Sequence, residues 1–246
     1  DANMLLAAAH ESDLPLMQQV IETATYGYGG STYAALLEYG QSGSANLQSA
    51  PAARYWHGFL VYLKPLLCFF SYMDIRMFQM AFQLLLLCAV TVGLCRRGLA
   101  RYAPAFALSL LAVTPAITGF SLQFSTIYTL YLLAMLALLY RPRLLQTRMR
   151  TAAFFMIVGM ATSYFDFLTY PIAAFGMPFL LSLLLSPVPT RRAGLLRGLL
   201  CLGAWAVGYF GLWAGKWVIA AAFGSDGWFV PNLMAKITER SSHQSA

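Results

Sequence analysis

The chain has 246 residues, 59% of them hydrophobic and only 10% charged, with a mean hydropathy of +0.63. Soluble domains carry about 25% charged residues, so this composition excludes an ordinary water-soluble globule and points to lipid as the solvent. The net charge of +7 is not spread as a nucleic-acid surface requires: ten of the sixteen Lys and Arg fall into three short clusters between apolar runs, which argues against nucleic acid as a partner.

Residues 1–53 hold five acids (Asp1, Glu11, Asp13, Glu22, Glu38) and no Lys or Arg. Ala7 to Ala9 and Leu14 to Ile21 predict short helices, Tyr26 to Gly30 reads as a turn, and Gln41 to Pro51 as a Ser/Gly/Ala loop. This is an acidic extramembrane region, thin for a core of its own. Residues 54–74 follow as an outer interfacial element. Within it, residues 57–72 are apolar and aromatic but interrupted by Lys64 and Pro65. A span needs about 20 apolar residues, so a pair of interfacial or re-entrant helices, broken at Pro65, is expected there.

Six spans are predicted over residues 75–223: Ile75 to Cys95, Ala103 to Phe120, Phe124 to Tyr140, Ala152 to Phe165, Thr169 to Leu185 and Gly198 to Phe223. The expected fold class is therefore all-α, a polytopic integral membrane bundle of about six spans plus the outer helix pair. Arg96, Arg97 and Arg101, then Arg141, Arg143, Arg148 and Arg150, then Arg191, Arg192 and Arg197 fall between spans as cytoplasmic loops. That parity leaves the N-terminal region and the tail, residues 224–246, outside the cytoplasm. Pro115 and Pro178 lie inside spans as kink sites. Ala204, Gly208, Gly211 and Gly215 form a small-residue ridge on the last span. The chain reads as an excerpt of a longer one, since it opens at Asp1 and stops in a polar stretch.

Few residues carry chemistry. Between Ile75 and Ser225 the single acid is Asp166, at the outer tip of a predicted hairpin. It reads either as a solvated turn residue or as a group facing an outer cavity with Gln123, Ser125 and Tyr164. Arg54, His57, Lys64 and Arg76 make a basic, aromatic stretch at the same outer face. It suits either a lipid-linked phosphate or plain interfacial anchoring with a local Asp74–Arg76 pair. Lys216, between Trp213 and Trp217, is explained by snorkelling. Cys68, Cys88, Cys95 and Cys201 show no metal spacing, no metal site is expected, and no cofactor is identified.

The runs Arg54-Tyr-Trp-His-Gly-Phe-Leu-Val-Tyr-Leu-Lys-Pro-Leu-Leu67 and Thr162-Ser-Tyr-Phe-Asp-Phe-Leu-Thr-Tyr-Pro171 resemble an uncharacterised family of bacterial polytopic membrane proteins. The layout also resembles, more loosely, the GT-C superfamily of lipid-linked-sugar glycosyltransferases. That likeness implies a sugar transferred from a polyprenyl-phosphate carrier at the extracytoplasmic face, with a carboxylate soon after the first span as catalytic base. Asp1, Glu11 and Asp13 are its positional candidates, beside Asp166. Membrane lipid and a polyprenyl-phosphate sugar are then the partners. A transporter or lipid flippase, with Asp166 and Lys216 lining a path, and a non-catalytic membrane scaffold are the rival expectations.

Overall fold

The computed structural model describes residues 1–10, 14–21, 23–27, 31–43, 47–52, 55–112, 121–165 and 169–224. Glu11, Asp13, Arg54, Pro115, Asp166 and residues 225–246 lie outside these. The chain divides into two compact units, Asp1–Lys64 with Trp213–Ala246, and Pro65–Leu212.

The first unit begins with α1 (Ala2–Ala9) and α2 (Leu16–Ile21), both foreseen from their apolar runs. Two short strands, β1 (Ala24–Gly27) and β2 (Gln48–Pro51), then pair antiparallel, Ala24 opposite Pro51 and Gly27 opposite Gln48. Between them α3 (Thr32–Ser42) starts on a Ser31 cap, whose hydroxyl accepts from the Ala34 amide at 3.3 Å. The expected turn over 26–30 is thus corrected at Tyr26 and Gly27, which belong to a strand, and the expected loop over 41–51 at its two ends, which are helix and strand; residues 28–30 and 44–46 lie outside the described residues. The partner strands are separated by twenty residues, and local composition cannot reveal a pairing of that kind.

Leu60–Phe69 forms α4, which continues through Pro65 instead of breaking there. Proline removes one helical donor and crowds the carbonyl four residues back. Here that is a single lost bond, and α4 is closed at its start by amides of Leu60, Val61, Tyr62 and Leu63 reaching back to residues 57–59. Ten residues rise about 15 Å, half of a hydrocarbon core of about 30 Å.

The second unit is helical. It holds α5 (Tyr72–Arg96), α6 (Ala103–Ala112), α7 (Leu122–Tyr140), α8 (Arg148–Phe165), α9 (Pro171–Leu185) and the larger part of α10 (Arg191–Phe223). Among the described residues three helices are long and apolar enough to cross a membrane: α5, α7 and α10. They correspond to the first, third and sixth predicted spans. α7 is the central one, with 56% of its apolar window buried against 28% for α5 and 22% for α10. The other two leave Phe78, Leu84, Leu85, Leu199, Val207 and Phe210 exposed, an arrangement that suits lipid rather than water. α9 is apolar but only 15 residues long.

Packing sets the directions of these helices. Gln83 Nε2 donates to the Ser125 carbonyl at 3.1 Å and to Thr129 Oγ1 at 3.2 Å, and Gln79 donates to Ser125 Oγ. These bonds join the N-terminal halves of α5 and α7. At the other end Arg97 Nε donates to the Leu139 carbonyl at 2.8 Å. So α5 and α7 run the same way. α9 runs with them, since Tyr170 at its N-terminus donates to the Phe124 carbonyl at 2.5 Å and stacks on Phe124. Arg197 of α10 donates to the carbonyls of Ser186 at 2.7 Å and Ser182 at 3.3 Å, closing the C-terminal end of α9.

The arginine clusters straddle the helix connections: Arg97, Arg101, Arg141 and Arg143 fall between helices, whereas Arg96 ends α5, Arg148 and Arg150 open α8, and Arg191, Arg192 and Arg197 lie in the first turns of α10. Helix C-termini expose carbonyls that guanidinium groups satisfy, so two of these arginines are drawn into caps. The small-residue ridge is used at Gly208 but not along its length, for Gly211 and Gly215 face open space. Gly208 meets Gly159 of α8, where a Cβ on Gly208 would overlap the Met156 carbonyl. That leaves backbone against backbone.

Candidate functional site

A small cavity opens in the first unit, lined by groups from four segments: His10 at the end of α1, Gln19 of α2, Thr23 and Tyr26 around β1, and His57 and Lys64 around α4. Its volume is about 50 Å³. On this measure a water needs about 10–15 Å³, so the hole takes a few water-sized groups, such as a hydroxyl and phosphate oxygens, and any larger ligand would extend through its mouth.

Each wall is placed by local chemistry. α1 stops at His10, whose backbone turns extended while its amide still reaches the Leu6 carbonyl at 3.0 Å. Tyr39 of α3 donates to the Ala9 carbonyl at 3.1 Å, satisfying one acceptor that the helix end leaves open. The His10 and Tyr26 rings lie 4.3 Å apart and tilted by 49°. Thr23 ties the start of β1 to the segment after β2: its carbonyl accepts from the Ala52 amide at 2.8 Å, and its hydroxyl donates to the Tyr55 carbonyl at 3.2 Å. Partial burial raises the Tyr26 phenol above its ordinary pKa, so it stays a neutral hydroxyl.

His57 is the strained residue of the site. Its φ of +50° is in the left-handed region, which costs a non-glycine residue about 1–2 kcal/mol. That backbone reversal starts α4, for the His57 carbonyl accepts from the Leu60 amide at 3.0 Å. The ring is 6% exposed and edge-on to Phe59 at 5.6 Å. Nδ1 lies 3.3 Å from the Tyr55 carbonyl. A carbonyl only accepts, so Nδ1 carries the proton and Nε2 is the basic nitrogen. Burial holds the imidazole down to about 4, the Tyr55 hydrogen bond opposes this, and the charge of Lys216 adds to it. At neutral pH His57 is uncharged.

Lys216 is fully buried within this unit. Its ammonium donates to the carbonyls of Val20 and, at 3.1 Å, of Ile21, the C-terminal residues of α2, and lies 5.3 Å from the Trp56 ring centroid. The snorkelling reading is therefore corrected: a helix C-terminus and an aromatic face take up the charge, not water.

The sequence candidates divide between the units. His57 and Lys64 share the cavity, joined by His10, Thr23 and Tyr26, which sequence reasoning passed over. His10 carried the one signal that was available, a histidine in a segment without Lys or Arg, but nothing in its spacing pointed to Tyr26 or His57. Asp1 precedes α1 and is not a lining residue. Arg76 belongs to the second unit, with its guanidinium 5.3 Å from the Tyr72 ring centroid. Asp74 caps α5 with Ser71 in a reciprocal box, its carboxylate accepting the Ser71 amide at 3.0 Å, in place of the local pair with Arg76. Ser125 is fully buried and its hydroxyl and carbonyl bond Gln79 and Gln83. Gln123 and Tyr164 are half-buried at the same end of the bundle, where Tyr170 joins the turn before α9 to the start of α7. Among the described residues no group of three or more His, Cys, Asp or Glu is placed to hold a metal ion. No protein-family model, no curated protein and no solved structure matches the chain.

Proposed function

We propose that this chain is a multi-pass membrane protein, crossing the bilayer about six times, that binds a phosphate-bearing polyprenyl lipid and transfers its sugar outside the cytoplasm. The reading follows the resemblance to GT-C glycosyltransferases. The observation that carries it is the cavity in which Lys64, Tyr26, His10 and His57 meet beside α4, a short helix with exposed Val61 and Phe69. Lys64 supplies a point charge for a phosphate oxygen, and α4 offers apolar surface to an isoprenoid chain.

In the transfer, an acceptor hydroxyl oxygen bonds to the anomeric carbon as the bond from that carbon to the phosphate oxygen breaks. The hydroxyl proton passes to a base, and the phosphate leaves with the bonding electrons. Lys64 stabilises that departing charge. Glu11 and Asp13 follow His10 in sequence and are the carboxylates proposed as base. His57, neutral with Nε2 as its basic nitrogen, orients a hydroxyl better than it holds a phosphate. That shifts it from the phosphate-binding group to the acceptor side. A path for a transported substrate past Lys216 gains no support, because that ammonium is already taken up by the α2 carbonyls and Trp56.

The test is binding of a short-chain polyprenyl phosphate to the purified protein in detergent, read by intrinsic tryptophan fluorescence. Lys64→Gln is expected to weaken binding roughly tenfold, in line with about 1.5–3 kcal/mol for a charge-assisted bond. Equal binding by wild type and Lys64→Gln, or preference for the unphosphorylated polyprenol, would sink the proposal.

A further inference from the structure

We infer that the arginine-bearing end of the second unit is a binding surface for the phosphates of anionic phospholipids, separate from the cavity and independent of the transferase reading. The parallel run of α5, α7 and α9 gathers all three basic clusters at one end. Arg97 reaches the last turn of α7, two residues from Arg141, and Arg197 reaches the last turn of α9. These two are occupied as caps. Arg96, Arg101, Arg141, Arg143, Arg148, Arg150, Arg191 and Arg192 are all exposed. Of these, Arg150 leans on Gln146 and Arg101 on Tyr102, both neutral.

Charge balance makes the surface informative. Between Asp74 and Asp226 the sequence holds one acid, Asp166, which falls in sequence between the C-terminus of α8 and the N-terminus of α9, whereas the arginines flank the other ends of both helices. Among the described residues no carboxylate is placed at this end, and every basic group on it is Arg rather than Lys. Guanidinium groups bind phosphate through a two-pronged fork, and unneutralised clusters next to a span attract anionic head groups.

Depth selects lipid over a soluble anion. The three helices able to cross a membrane all terminate at this end, α5 at Arg96, α7 at Tyr140 and α10 at Arg191. Apolar side chains are interleaved with the charges: Met149 between Arg148 and Arg150, and Leu195 and Leu196 after Arg192, are 79%, 66% and 57% exposed. Arginine heads among phosphates and apolar side chains just below them describe a bilayer interface. A soluble phosphate would leave Met149 and the leucines in water.

The test is lipid retention by the purified full chain from mixed micelles of phosphatidylglycerol and phosphatidylcholine in equal amounts, read by native mass spectrometry. Wild type is expected to retain phosphatidylglycerol several-fold over phosphatidylcholine, and about 1 M salt to erase the preference by shortening the screening length to about 3 Å. Replacing Arg141, Arg143, Arg148 and Arg150 together by Gln is expected to bring the preference down to near one, since each basic group near the surface is worth about 1 kcal/mol. The same four replaced by Lys keep the charge that directs insertion, and should keep most of the preference. Equal retention of both lipids by wild type, or an unchanged preference in the Gln variant, would overturn the inference. Displacement of the lipid by millimolar inorganic phosphate would overturn lipid as the source of the phosphate.

Discussion

Gly159 and Gly208 face each other across α8 and α10 so closely that neither helix has room for a side chain. A Cβ on Gly159 would lie 3.0 Å from the Tyr209 amide nitrogen and overlap the Trp205 carbonyl, and one on Gly208 would lie 3.1 Å from the Met160 nitrogen. Backbone cannot swing aside as a long side chain can. Either glycine replaced by Ala should therefore separate the helices and destabilise the bundle by about 1–3 kcal/mol. Gly211→Ala, at open space on the same helix, is expected to be neutral. Thermal unfolding in detergent checks both, and equal effects at 208 and 211 would contradict the crossing.

His57 makes the first unit sensitive to acid. Its folded pKa of about 4 is below the ordinary value of 6.5. Between those values the unfolded chain binds a proton that the folded chain refuses. The contribution of the neutral, buried ring is thus complete above pH 6.5 and is lost as pH falls toward 4, at up to about 1.4 kcal/mol per pH unit. His57→Gln should flatten the dependence of stability on pH in that window. A wild-type imidazole that titrates near 6.5 by NMR would remove its basis.

Lys216→Met tests the buried ammonium. It removes a cation from the Trp56 face and leaves the part-buried Val20 and Ile21 carbonyls without this donor, at about 0.5–1.5 kcal/mol for each bond lost. The expected result is faster amide exchange across α2 and around Trp56, with unit 2 unchanged. Uniform loss of protection through both units would indicate general misfolding instead.

The shared end of the arginine clusters predicts a labelling pattern. With Cys68, Cys88, Cys95 and Cys201 replaced, single cysteines at Leu99, Gln146 and Val188 should respond alike to a membrane-impermeant thiol probe in sealed cells. Positive-inside bias makes the expected response no labelling until permeabilisation. Labelling of one position but not the other two would separate ends that the Arg97–Leu139 and Arg197–Ser186 bonds place together.

Much of the helical framework was legible in advance. Long apolar runs with no acid specify α5, α7 and α10, because an unbroken stretch of that composition is stable only with its backbone bonds closed within one helix. The arginine clusters were equally plain, since charges cannot be left inside such runs. Other features needed tertiary structure. Pro65 reads locally as a breaker, yet α4 absorbs it at the loss of one hydrogen bond. Tyr26 reads as a turn residue, yet its strand is specified by a partner twenty residues downstream. Lys216 reads as a snorkelling lysine because sequence shows its tryptophan neighbours and not the α2 carbonyls, nearly two hundred residues away, that take its charge. The cavity joins His10, Tyr26, His57 and Lys64 in the same manner. Periodicity and composition are properties of a segment, whereas a binding site is made by distances between segments. Those distances are decided by packing.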